Sequence, residues 1–319
     1  IKNLYLYLIK YQEKYNIMKN PKIVVVGSCN TDMVVKANKL PAPGETVLGG
    51  TFLMNPGGKG ANQAVAAARL GGNVALISKI GNDLFGRQSI ELFRAEGIDT
   101  DYVFTDNKNP SGVALISVDS SGENCIIVAS GANSSLDISD INKAKKILIE
   151  ASIILIQFEI PMQTVEYVIK FASKYNKKII LNPAPAQILS EQFLTSISLI
   201  VPNRIEAELL TGIKVYDWES AKKAADKMEE KGLKNIIITL GSLGVLVKTK
   251  SNHYIIPAHE VKAVDTTAAG DTFCGALCVA LSEGQDIISA AKFANKASSI
   301  TVTRMGAQSS IPNKKELLL

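Results

Sequence analysis

The 319-residue chain has only four cysteines, two histidines and 6% aromatic residues, and each shortage removes a class of protein. Cys29, Cys125, Cys274 and Cys278 are dispersed and form no CxxC pair, which excludes a secreted disulfide framework and makes a reducing cytoplasm the expected compartment. His253 and His259 lie elsewhere in sequence, so no Cys/His cluster with zinc spacing is present. There is no long apolar run either: residues 4–9 are far too few to cross a bilayer, and no membrane partner is expected. Charge of one sign is scarce, with 35 Lys and Arg against 30 Asp and Glu and a formal net of +5. The basic residues are scattered among acidic ones, so no polyanion-binding stripe exists and no nucleic-acid partner is expected.

Part of that small excess sits in residues 1–17, where Lys2, Lys10 and Lys14 face only Glu13. This segment also carries four of the nine tyrosines and precedes Met18. It reads as a non-native or poorly ordered extension before a natural start at Met18, with a partner-binding arm as the alternative. The remainder is ordinary in composition, 46% hydrophobic. A chain of this size removes roughly 75% of its unfolded surface from water, so a core forms without metal or disulfide staples.

From Lys22 the pattern is regular. Short β-branched runs at 22–27, 74–80, 153–157, 178–182, 199–202 and 235–240 read as strands buried on both faces. Helical stretches lie between many of them, at 61–70, 83–96, 161–175 and 218–231, several stopped by glycine. The alternation predicts a doubly wound α/β fold, a mostly parallel sheet with helices on both faces, as one domain over 18–319. Two stretches break the rhythm, at about 33–54 and 112–130, and read as an antiparallel β lid that could exclude water from a transfer reaction.

Standard nucleotide motifs are missing. Asn55-Pro-Gly-Gly-Lys-Gly-Ala-Asn62 has Leu53 where a P-loop needs glycine, and Lys59 is followed by Gly60 instead of Ser or Thr. The first strand ends in Gly27-Ser-Cys-Asn30 and supplies no G-x-G-x-x-G. What is present is Asp265-Thr-Thr-Ala-Ala-Gly-Asp271 followed by a small-residue helix. Ala268, Ala269 and Gly270 make a tight turn whose unbonded N–H groups can hold an anion at the helix start. Asp271 at that mouth reads either as the base for a hydroxyl attacking phosphorus or as a helix cap.

Gly57, Gly58 and Gly60 allow close backbone approach to a ligand, with Lys59 and Asn62 as donors, and Asn30 and Asp32 form a fork suited to paired sugar hydroxyls. All of these also fit plain turns. Asn203-Arg-Ile-Glu206 opens a helix at a strand's carboxyl end, where Glu206 either holds waters of a phosphate-bound Mg²⁺ or caps the helix. Thr239-Leu-Gly-Ser-Leu-Gly244 is a candidate nucleotide turn.

Taken in order with Val302-Thr-Arg-x-Gly-Ala-Gln308, these motifs resemble the ribokinase family of carbohydrate kinases over residues 20 to 311. The resemblance implies ATP-dependent phosphorylation of D-ribose at O5, with deoxyribose, fructose or a nucleoside as alternative acceptors. It implies that Asn30, Asp32, Gly58, Lys59, Asn62 and Glu159 hold the sugar, that Asp271 is the base, and that residues 268–270 cradle the transferring phosphoryl group. Asn203, Thr239, Gly241, Ser242, Gly244 and Asn295 would contact ATP, and Glu206 the Mg²⁺ shell. A monovalent cation, usually K⁺, is implied at Asp265, Thr267, Thr301, Arg304, Gly306 and Ser310, several through backbone carbonyls. The lid implies a homodimer. A sugar-binding protein without catalysis is the reading from another class, and the presence of Asp271 and the cradle argues against it.

Overall fold

In the computed structural model, which describes residues 22–121, 123–250 and 252–317, the run Lys22–Val26 is strand β1 at the heart of a nine-stranded sheet. Its side chains alternate between two cores: Ile23 and Val25 enter one, Val24 and Val26 the other. A strand in that position must be apolar on both faces, which is why it reads as a continuous β-branched run. Each such side chain contributes roughly 1.5–3 kcal/mol on full burial. The extension at 1–17 and Met18 lie outside the described residues.

β1 pairs in parallel with β4 (Asn73–Gly81) on one side and β8 (Ile153–Ile156) on the other. The parallel array continues to β5 (Val103–Asp106) at one end, and through β9 (Lys178–Leu181) and β10 (Leu199–Ile200) to β11 (Asn235–Thr239) at the other. Beyond β11 the sheet turns antiparallel through β12 (Gly244–Thr249) and β13 (Asn252–Pro257). One core packs under α1 (Lys59–Arg69), α8 (Ala269–Ser282) and α9 (Ile287–Thr301). The other packs under α5 (Met162–Lys174), α6 (Arg204–Thr211) and α7 (Trp218–Glu230). Small residues let α1 and α8 approach closely: a Cβ on Gly275 would stand 2.6 Å from that of Ala66.

The lid is a separate four-stranded sheet in the order β3 (Thr51–Gly57), β2 (Asn30–Lys36), β6 (Gly112–Val118), β7 (Asn124–Ala129). Its two outer pairings are antiparallel, while the central pairing of β2 with β6 is parallel. The expected spans for the lid start and stop within a few residues of these strands. Among the described residues no helix is long and apolar enough to cross a membrane.

Candidate functional site

The site lies where β1 leaves the main sheet and the lid begins. Three residues separate β1 from Asn30, the first residue of β2, so Asn30 and Asp32 stand at the carboxyl ends of the parallel strands, where ligands of open α/β sheets collect. Both are buried. Asn30 Oδ1 accepts a hydrogen bond from Asn133 Nδ2 at 2.7 Å, and Asn133 Oδ1 accepts from the Cys29 N–H at 2.8 Å. Any Cβ on Gly57 would overlap the Asp32 carboxylate, so glycine is needed where β3 passes β2. Gly58 follows with φ +87, a backbone region that favours glycine, and turns the chain into α1. Glu159 accepts from Ser28 Oγ at 2.5 Å and from the Lys59 N–H at 3.0 Å.

The electrostatics follow from this crowding. Burial, with Glu159 and Asp271 nearby, pushes the Asp32 carboxyl up to about 6. Burial opposes the charge on Lys59, but Asp271, Glu159 and Glu206 outweigh it and hold the ammonium above its usual range. Lys59 is therefore a firmly charged cation among carboxylates.

Asp271 is buried in the first turn of α8. Its Oδ2 accepts from Asn62 Nδ2 at 3.0 Å and its Oδ1 from Gln63 Nε2 at 2.9 Å. It is not the residue that caps the helix; that position is Ala268, at φ +58, a left-handed conformation costing a residue with a side chain roughly 1–2 kcal/mol. The Ala269 N–H is directed to the Thr266 carbonyl at 3.3 Å, and no atom lies within 4 Å of the place a Cβ on Gly270 would take. The first turn of α8 is thus open at Gly270, with the helix dipole pointing into the opening. Residues 268–271 line one cavity of 180 Å³ together with Lys59, Asn182, Asn203, Glu206 and Thr239.

Across the cavity, Asn203 and Glu206 form a reciprocal cap at the start of α6. Glu206 N donates to Asn203 Oδ1 at 2.9 Å, and Asn203 N donates to Glu206 Oε2 at 2.8 Å. Glu206 is buried, and desolvation raises its carboxyl above the usual range against the opposing Asn203 N–H and Lys59. The capping reading of Glu206 is thus realised, and the same residue lines the cavity. Thr239 bridges to Asn203 across the ends of β10 and β11. Gly241 (φ +62) and Gly244 (φ +112) bracket a tight turn carrying the exposed Ser242, outside the cavity wall. Asn295 in α9 donates from Nδ2 to the Pro257 carbonyl at 2.9 Å, so that side chain ties the helix to the end of β13.

The residues implied for a monovalent cation divide in two. Asp265 Oδ1 accepts from Thr267 N and Oγ1, and its Oδ2 accepts from the Gly306 N–H at 2.9 Å, which draws the two loops together. Burial works against the Asp265 carboxylate, yet these donors keep it below its usual range, so it stays charged. Thr301 and Ser310 turn their hydroxyls inward, to Thr272 and Ala297 and to Ala307 respectively. The Arg304 guanidinium pairs with Glu316. This donor set is oxygen throughout, which suits a hard cation. Among the described residues no group of three or more His, Cys, Asp or Glu side chains is placed to hold a metal.

Three side chains that the motifs do not single out complete the site. Gln63 contacts Asp271 directly, Gln157 bonds Gln63, and Asn182 bonds Gln63 from the far side. Gln157 and Asn182 close two of the predicted strand runs, and that position at the carboxyl end was the available signal.

Comparison with known proteins places these features in context. Residues 20–314 match the profile described as pfkB family carbohydrate kinase. A ribokinase of Haemophilus influenzae is 46% identical over 296 residues, covering 93% of this chain and 97% of that protein. Among solved structures, a ribokinase from Thermotoga maritima superposes with a TM-score of 0.86 at 41% identity, covering 93% of this chain and 98% of that one. A ribokinase from Arabidopsis thaliana, complexed with ribose and ATP, gives a TM-score of 0.86 at 33% identity, covering 94% of this chain and 98% of that one.

Proposed function

The chain belongs to the pfkB family of carbohydrate kinases, and from that membership we propose that it transfers the γ-phosphoryl group of ATP to O5 of D-ribose, giving D-ribose 5-phosphate and ADP. The observation that carries the reading is the meeting, in one cavity, of a carboxylate fixed by two amide donors, the open first turn of a helix, and a lysine held charged. Asp271 takes the O5 proton as the oxygen attacks phosphorus in line, and the turn at residues 268–270 receives the charge of the transferring group. Asn30, Asp32, Gly58, Lys59, Asn62 and Glu159 hold the sugar. Asn203, Thr239, Gly241, Ser242, Gly244 and Asn295 contact ATP. Glu206 orders the water shell of Mg²⁺, which when bound neutralises phosphate charge. Asp265 and the carbonyls of its neighbouring loops hold K⁺, which lends positive charge beside the cradle.

The test is ADP release across pentoses, hexoses, deoxyribose and nucleosides, with K⁺ or Na⁺ at fixed ionic strength. Ribose should be the fastest acceptor and K⁺ a strong activator. A faster hexose or nucleoside would overturn the substrate, and equal rates in the two salts would overturn the cation site.

Asp32 supplies a pH dependence. Its carboxyl, raised to about 6, is an ionised double acceptor for sugar hydroxyls above that pH and becomes neutral below it. The KM for ribose should therefore rise as pH falls from 7 to 5, and an Asp32→Asn variant should lose that slope. A KM that stays flat in the unaltered protein would remove Asp32 from the sugar contacts.

The lid leaves Phe52 (59% exposed), Ile127 (70% exposed) and Leu115 on its surface, which supports a homodimer closed lid to lid. Free thiols at all four cysteines are in keeping with work in the cytoplasm.

A further inference from the structure

Beneath Asp271 lies a layer of buried amides drawn from the ends of separate strands. Gln157 follows β8, Asn182 follows β9, and Gln63 reaches them from α1. Gln63 and Gln157 are fully buried and Asn182 nearly so. The direction of every hydrogen bond in this layer is set by one backbone group. The Val201 carbonyl is an acceptor only, so the 2.9 Å bond from Asn182 fixes Nδ2 on that side and leaves Oδ1 facing Gln63. Gln63 must then present Nε2 to Asn182, at 3.0 Å, and the same nitrogen reaches Asp271 Oδ1 at 2.9 Å. On its other side Gln63 Oε1 accepts from Gln157 Nε2 at 2.5 Å. Gln157 fits there because Gly27, at the end of β1, has no Cβ, which would overlap Gln157 Oε1.

We propose that Gln63 is a positioning residue for phosphoryl transfer: its amide, oriented by Asn182 and Gln157, locks the Asp271 carboxylate in one plane. The proposal rests on Asp271 acting as the base. Asn62 alone holds only Oδ2 and leaves the carboxylate free to pivot; the bond from Gln63 to Oδ1 removes that freedom. A donor to a carboxylate stabilises the charged state, which is the state a base requires.

The experiment compares Gln63→Leu and the near-isosteric Gln63→Glu with the unaltered protein, on whichever alcohol that protein phosphorylates fastest. A failure of ribose as acceptor thus overturns the substrate reading and leaves this comparison intact. The charged and thiol groups facing Asp271, namely Lys59, Asp32, Glu206 and Cys274, are the same in all three proteins. Gln63→Leu should lower kcat roughly 10- to 100-fold and move the acid limb of the kcat profile to higher pH, with the KM for ATP unchanged. Gln63→Glu sets a second carboxyl against Asp271 and should move that limb further. Should Gln63→Leu fail to fold, as judged by its thermal transition, Gln63→Glu decides alone. A folded variant whose acid limb coincides with that of the unaltered protein, at any kcat, overturns the proposal, because loss of packing alone does not move a titration.

Discussion

An Asp271→Asn protein should show kcat lowered roughly 10²–10⁴-fold, with the KM for ATP close to that of the unaltered protein. The substitution removes the proton acceptor and little else. Both carboxylate oxygens accept from amide nitrogens, whereas asparagine offers one oxygen and one NH₂, so one of the two donors would meet another donor. Asn62 can resolve that conflict. Its Oδ1 has no partner among the described residues, and a half-turn of its amide presents this oxygen to the new NH₂ while Gln63 keeps its bond. Folding should survive and ribose should still bind, weakened at most by the one contact that the turned Asn62 exchanges, which a thermal melt and a ribose titration would verify. Near-normal turnover in a variant that still binds ribose would sink the assignment of Asp271 as base.

The reach of sequence reasoning at this site depends on the distance over which each contact acts. The glycines at 57, 58 and 60 and the turn at 268–270 are local devices, so their spacing announces them, and Lys59 from the first joins residues 268–271 in lining one cavity. The strands β1, β4, β8, β9, β10 and β11 are legible because burial on both faces demands apolar runs, whereas β5, half-buried at one end of the sheet, has none. The edge strand β13 is harder, since it leaves Asn252, Tyr254, Ile255 and Pro257 exposed and buries only Ile256. The parallel pairing of Asn30 with Gly112 joins two segments that look like independent hairpins, and no local pattern reports it. The amide layer is the extreme case. Gln63 meets Asp271 across 208 residues, Asn182 across 119 and Gln157 across 94, and none of the four lies in a motif with the others. Only the convergence of strand ends makes them neighbours. The cation positions show a different limit: only the family resemblance implies them, several through backbone carbonyls, and a carbonyl that faces an ion leaves no mark on residue type.

Gly60 is hemmed in by backbone atoms alone, and Gly60→Ala should cost both stability and activity. A Cβ there would stand 2.6 Å from the Gly27 carbonyl carbon, 2.6 Å from the Ser28 nitrogen and 2.7 Å from the Gly27 Cα. All three are backbone atoms at the exit of β1, so no side-chain rotation relieves the overlap, and α1 must shift away from the sheet. Overpacking of this kind costs about 1–3 kcal/mol, which a thermal melt would register as a drop of several degrees. The catalytic loss should be larger. Lys59 and Asn62 ride on α1, Asn30 and Asp32 ride on the chain leaving β1, and the displacement separates the two halves of the proposed sugar site. A misplacement of about 1 Å in a reacting group can lower turnover roughly 10²-fold, so kcat/KM for ribose should fall by that order. Gly270→Ala is the matched control for stability. It also adds one methyl to a site glycine, but nothing lies within 4 Å of that methyl, and its melting temperature should equal that of the unaltered protein. If Gly60→Ala melts at the same temperature as Gly270→Ala, α1 is not packed against the end of β1 in the way these distances require.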